Sequence, residues 1–197
     1  MNELFLLVDS ALIWLYRLPE IPILGYYLGT FVLALLCVVA GTLTVYAAHA
    51  VNGAVLKKTG EKMVDMQNAS IHALAQKDKE AYKACNHEAN EAFGRYFFSQ
   101  IALGASSLWP AAFALTWMQG RFGEVEFVLP GPGWSVGFVF TFVLLYVLAH
   151  RLFSRVKRRL PLFAAAERYV GAHMPPAERM LTLSGLSRKK GRQQAPA

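Results

Sequence analysis

His72, His87 and Glu88 are the side chains whose types suit zinc binding or proton transfer. Two zinc ligands on one helix need a His-x-x-x-His spacing, and these residues lack it. Cys37 lies inside an apolar run and Cys85 inside a polar one, which predicts neither a disulfide nor a metal site. His49 has the type of a general base, yet no acid or nucleophile pairs with it by spacing. The Ser106-Ser107 pair has no Gly-x-Ser-x-Gly context to sharpen a nucleophile. Catalysis is therefore not expected, and no cofactor or metal is required.

The remaining polar side chains of interest flank or interrupt apolar runs. Thr42, Tyr46, His49 and Asn52 recur every three or four residues, so on a helix they share one face. Arg95, Ser99 and Gln100 open a second apolar run, which also carries Ser106; Tyr146 and His150 close a third. Polar groups at membrane depth tend to face a bundle interior or a water-filled cavity. Thr42, Tyr46, His49, Asn52, Arg95, Ser99, Ser106, Tyr146 and His150 are thus expected to line a groove reaching about half the bilayer depth. Plain helix packing through small and hydroxyl side chains is the competing explanation.

The elements that must position them follow from composition. Of 197 residues, 55% are hydrophobic, with a mean hydropathy of +0.32. A soluble domain rarely exceeds half apolar residues, and here they cluster into membrane-length runs at 24–51, 97–118 and 134–153. Pro110 should kink the second span or loosen a turn of it, and the small patch Gly104–Ser107 should admit a neighbouring helix. Residues 4–18 are too short to span and contain Asp9, which predicts an interfacial helix with Trp14 and Tyr16 at the headgroup level. Between the first and second spans lies a long polar stretch. Its apolar positions Tyr82, Cys85, Ala89, Ala92/Phe93 and Tyr96 approach a heptad seam. Leu56, Met63, Met66, Ala73 and Leu74 repeat less cleanly, and Asp78 is placed to cap a second helix. The expected fold is an all-α membrane protein of three transmembrane helices, with a helical hairpin over 53–95 and an N-terminal interfacial helix. Residues 1–22 precede the membrane core, which covers 23–160; residues 161–197 form a basic, partly disordered tail. In the connector, Phe127, Val128 and Leu129 are expected to dip into the interface, with Trp134 anchoring the third span.

Charge sets the orientation. With the N-terminus and the 119–133 connector stand Arg17 and Arg121, against Glu3, Asp9, Glu20, Glu124 and Glu126. The other 18 of the 20 Lys and Arg residues fall in the hairpin and the C-terminal region. The positive-inside rule then places the N-terminus outside and the hairpin and C-terminus in the cytoplasm, in an inner (plasma) membrane. The net charge of +7 thus reads as orientation rather than as DNA binding. Arg188, Lys189, Lys190 and Arg192 in the tail suit ribosomal RNA or lipid, with salt-sensitive affinity.

The hairpin 55–95, with KDKEAYKACNHEANEAFGR running into the second span, the SSLWP of that span and the basic exit RLFSRVKRRLP together resemble the YidC/Oxa-type insertase superfamily, in its three-span form. The likeness covers residues 24–160 and is one of architecture. It implies a protein that helps hydrophobic segments of nascent or client membrane proteins enter the bilayer, through a groove open to the cytosol. The hairpin would receive clients or partners and the tail would face the ribosome. The arginine inside the groove of bacterial members has no counterpart in the middle of any span here. An accessory or scaffold subunit of a membrane complex, docking through the hairpin, is the second expectation; a small channel or transporter, lacking a mid-membrane ion site or inverted repeat, is the third.

Overall fold

The structure is a computed structural model describing residues 3–125, 127–128, 135–172, 174 and 180–181. It is built of helices: α1 (Glu3–Tyr16), α2 (Pro22–Ala75), α3 (Lys79–Ser106), α4 (Trp109–Phe122), α5 (Phe138–Val156) and α6 (Pro161–Ala172), with a 3₁₀ turn at Lys157–Arg159 before α6. Three helical segments are long and apolar enough to cross a membrane: Pro22–Ala75, the α3–α4 segment Lys79–Phe122, and Phe138–Arg159. Pro22 and Pro161 each occupy the first position of their helix, where a missing N–H costs nothing and the fixed φ favours the turn. In the connector, Phe127–Val128 (β1) pairs antiparallel with Ser135–Val136 (β2), Phe127 opposite Val136. Leu129, Trp134 and the tail residues Arg188, Lys189, Lys190 and Arg192 lie outside the described residues.

The contacts divide the chain into two compact units: Met1–Tyr46 with Gly104–Ala166, and Ala47–Leu103 with Glu167–Ala197. The first unit holds the apolar core. Leu33, Ala34, Cys37 and Val38 of α2 pack with Ala114, Trp117 and Met118 of α4 and with Phe138, Phe142, Ala149 and Phe153 of α5. Lipid is as apolar as these side chains, so their close fit rather than their removal from water holds the helices together. Phe163 of α6 closes this core against Phe153 and Tyr46, with ring centroids 5.2 and 6.1 Å away.

Tyr16, at the end of α1, is buried among aromatic side chains: its ring lies 5.0 Å from Phe122, 5.7 Å from Trp117 and 6.4 Å from Tyr26. Gly29 makes room for it: a Cβ there would stand 2.6 Å from the Tyr16 ring. Trp14, two residues earlier, is exposed.

The second span is two helices, not one bent helix. Pro110 has no N–H for the Ser106 carbonyl and its ring crowds the preceding turn. α3 therefore ends at Ser106 in tight turns, Ser107 N–H to Gly104 O at 3.1 Å and Leu108 N–H to Ala105 O at 3.0 Å, before α4 starts at Trp109. Gly104 is not the point of close approach that the small-residue patch suggested, since a Cβ on it would meet nothing within 4 Å. That point is Gly41 of α2, where a Cβ would collide with the Ser107 carbonyl oxygen.

In the second unit α2 reaches Ala75 with no interruption at the end of its apolar run. The chain turns at Gln76–Asp78, with Lys77 in the left-handed region at φ 63°. The Asp78 carboxylate accepts from the N–H groups of Glu80 and Ala81 at 3.2 and 3.0 Å, capping α3 as its position implied. The two arms touch through Met63, Val64 and Ala92 and through a Lys62–Glu88 ion pair at 2.5 Å. Leu56, Met63 and Ala73 are buried as the pattern suggested, whereas Leu74 is exposed and Val64, Ser70 and Ile71 take the interior positions.

Candidate functional site

The expected groove residues fall in both units, and each has its own surroundings. In the first unit the Thr42 hydroxyl donates to the Val38 carbonyl one turn back at 2.7 Å. Tyr46 is half-buried beside Phe163, and Tyr146 is half-buried and stacked on Phe142 with centroids 5.9 Å apart. Ser106 is half-buried at the C-terminal end of α3, and His150 is exposed on α5. In the second unit His49 is buried, at 8% exposure, while Asn52 is exposed and donates to the Ala48 carbonyl at 3.0 Å. Arg95 pairs with Glu91 one turn earlier, and the Ser99 hydroxyl donates to the Arg95 carbonyl at 2.8 Å.

Two features of the first unit have no forerunner in the sequence analysis. The first is a partly buried polar cluster, in which Asp9 and Trp117 are buried and Arg121 is exposed. Asp9 accepts from the Trp117 indole N–H at 2.9 Å and from Arg121 Nε at 2.8 Å, and its second oxygen accepts from Arg121 Nη2. A carboxylate in apolar surroundings is tolerated when it is paired and hydrogen-bonded. The Arg121 guanidinium holds the Asp9 carboxyl below the usual carboxylate range, ahead of the opposing effect of its burial. The signal was present: a lone acid in an apolar helix needs a cation, and Arg17 and Arg121 are the only Lys or Arg residues in 1–56 and 96–150.

The second is an apolar cavity of about 390 Å³ beside the helix break, walled by α1, α2 and α4, with Cys37, Trp109, Phe113 and Trp117 among its lining. Cys37 donates from Sγ to the Pro110 carbonyl at 3.4 Å, and the Trp109 indole N–H donates to Thr44 Oγ1 at 3.0 Å, so the first turn of α4, just past the break, is tied to α2 at two points.

In the second unit the clefts are bordered by charged side chains. A cavity of about 260 Å³ lies between the arms, lined by Lys58, Thr59, Lys62, Glu91, Ala92 and Arg95. At the turn, Leu74, Lys77, Asp78, Lys79, Tyr82 and Lys83 border a crevice of about 420 Å³. Phe93 and Phe97 stack on the outside of α3 with centroids 5.7 Å apart, and Phe98 stands edge-on to Phe97. All three rings are exposed, as are Ile101 and, on α2, Val51 and Val55. The Lys62 ammonium holds the Glu88 carboxyl below its ordinary value of 4.5. Among the described residues no three His, Cys, Asp or Glu side chains gather as metal ligands would.

These features define an integral membrane protein with three candidate spanning segments. Comparison with protein-family models, curated proteins and solved structures returns no significant match to this chain.

Proposed function

We propose that this protein is an insertase or biogenesis factor for membrane proteins, with its N-terminus outside and its polar helix pair and C-terminus in the cytoplasm. One observation carries the reading: α2 runs unbroken from an apolar span into a polar arm, and α3 returns from the turn into the second apolar run. Clients would meet the pair first and the membrane next along the same helices. Phe93, Phe97, Phe98, Val51 and Val55 offer a hydrophobic segment exposed apolar surface where the polar arms give way to apolar sequence. His49, Asn52, Arg95 and Ser99 supply polarity at that level, with Thr42, Tyr46, Ser106, Tyr146 and His150 further along the spans. A polar segment crossing hydrocarbon meets a large desolvation penalty. A polar path through part of the bilayer lowers that barrier, and the apolar segment then partitions into lipid without a separate energy source.

Orientation is tested through Cys85, which is half-buried on α3. A membrane-impermeant thiol reagent should reach it in inverted vesicles and not in intact cells; labelling in intact cells contradicts the assignment. The activity is tested by photo-crosslinking from Ser99 and Tyr146 in living cells. Newly made membrane proteins should attach, and attachment should stop when translation is blocked. A scaffold role is the second reading, favoured by the crevice at the turn with Lys77, Lys79 and Lys83 around it. One constant neighbour, captured whether or not translation continues, would establish that reading in place of insertion.

A further inference from the structure

The cavity between the two arms of the helix pair has the charge, the donors and the height of a lipid-phosphate site. Its lining brings Lys58, Lys62 and Arg95 together with Thr59 and the small side chain of Ala92. Glu91 is the one acid in the lining and is engaged by Arg95; Glu88 engages Lys62 from outside it. Lys58 makes no ion pair among the described residues, so its ammonium is uncommitted. The walls remain net positive after these pairings, and each paired cation keeps further N–H donors.

Height follows from charge spacing. No charged residue lies between Glu20 and Lys57. At 1.5 Å per residue, the uncharged part of α2 measures roughly 50 Å. A bilayer is about 30 Å thick in hydrocarbon and about 40–45 Å with its headgroups, and spanning helices tilt by about 20° on average. Lys57 and Lys58 are therefore the first charges that α2 carries as it leaves the headgroup layer. Arg95 is the last charge on α3 before an uncharged run that continues to Gly120. The same cavity is lined from both helices at this level, beside the lipid headgroups. Basic pockets between helices at a membrane surface suit anionic headgroups.

The geometry points to a binding site for the phosphate of an anionic glycerophospholipid, held by Lys58, Arg95 and Thr59 with support from Lys62. The inference rests on the spanning segments alone and stands or falls apart from insertase activity. Such a lipid at the base of the pair would brace the arms against each other by bridging Lys58 of α2 and Arg95 of α3.

The test is native mass spectrometry of the full-length detergent-purified chain, titrated with phosphatidylglycerol and, separately, phosphatidylcholine. Phosphatidylglycerol should be retained at least fivefold better. Lys58→Gln with Arg95→Gln should bring its retention down to the phosphatidylcholine level, with helicity unchanged. Lys79→Gln with Lys83→Gln, at the turn, should leave it as it was. Glu91→Gln removes the competing carboxylate from the cavity and frees Arg95, so it should raise retention at least twofold. Millimolar inorganic phosphate should not displace the lipid. Equal retention of the two lipids, an unchanged Lys58/Arg95 double variant, no gain on Glu91→Gln, or complete displacement by inorganic phosphate would each overturn the proposal.

Discussion

Replacing Gly41 with alanine is expected to cost about 2–3 kcal/mol, the upper part of the range for forcing an extra methyl group into a packed interior. The added Cβ would collide with the Ser107 carbonyl oxygen and stand 3.1 Å from its carbonyl carbon. Both are backbone atoms in the tight turns that end α3, so no side-chain rotation relieves the clash. Ser107 cannot retreat freely either, because Trp109 and Pro110 just beyond it are bonded to Thr44 and Cys37 of α2. A loss of this size should lower the thermal midpoint in detergent by about 5–10 °C, at roughly 2–4 °C per kcal/mol for a chain of this length. Gly104→Ala is the control. It lies in the same unit, has open space at its Cβ, and should be neutral or stabilise by about 0.5–1 kcal/mol through helix propensity. Equal effects at the two glycines would show that α2 does not rest on the helix break.

The contrast between these glycines marks what the sequence carries in readable form. Features set by neighbours along the chain were legible. Long apolar runs disclosed the three spanning segments, Asp78 disclosed the cap of α3, and Pro110 disclosed a disturbance of the second span. Features set by distant partners were not. Gly104 and Gly41 both sit among small residues, and only tertiary structure reveals which of them meets a backbone. Tyr16 near the end of an apolar helix gave no sign of the aromatic nest of Trp117, Phe122 and Tyr26 that surrounds it. Asp9 and Arg121 stand 112 residues apart, so their pairing had no local signature. Of the candidate groove, the residue types and shared helix faces were readable. Their surroundings were not: Thr42, Asn52 and Ser99 each bond the backbone of their own helix, which hydroxyl and amide side chains do readily wherever a carbonyl one turn back is within reach.

Polarity near the membrane boundary is the part of the account on which insertion depends, and its removal should have the largest functional effect. The decisive measurement uses the purified chain in lipid vesicles, presented with a newly translated client bearing one hydrophobic span and scored by protease protection. Vesicles containing the native chain should protect at least fivefold more client than lipid alone. His49→Leu with Asn52→Leu should abolish most of that gain. Asn52 loses an exposed amide bonded to the Ala48 carbonyl of its own helix, and helicity measured on the same sample shows that the double variant is folded. Protection equal to that of lipid alone by the native chain, or undiminished protection by the folded double variant, would contradict the proposed function.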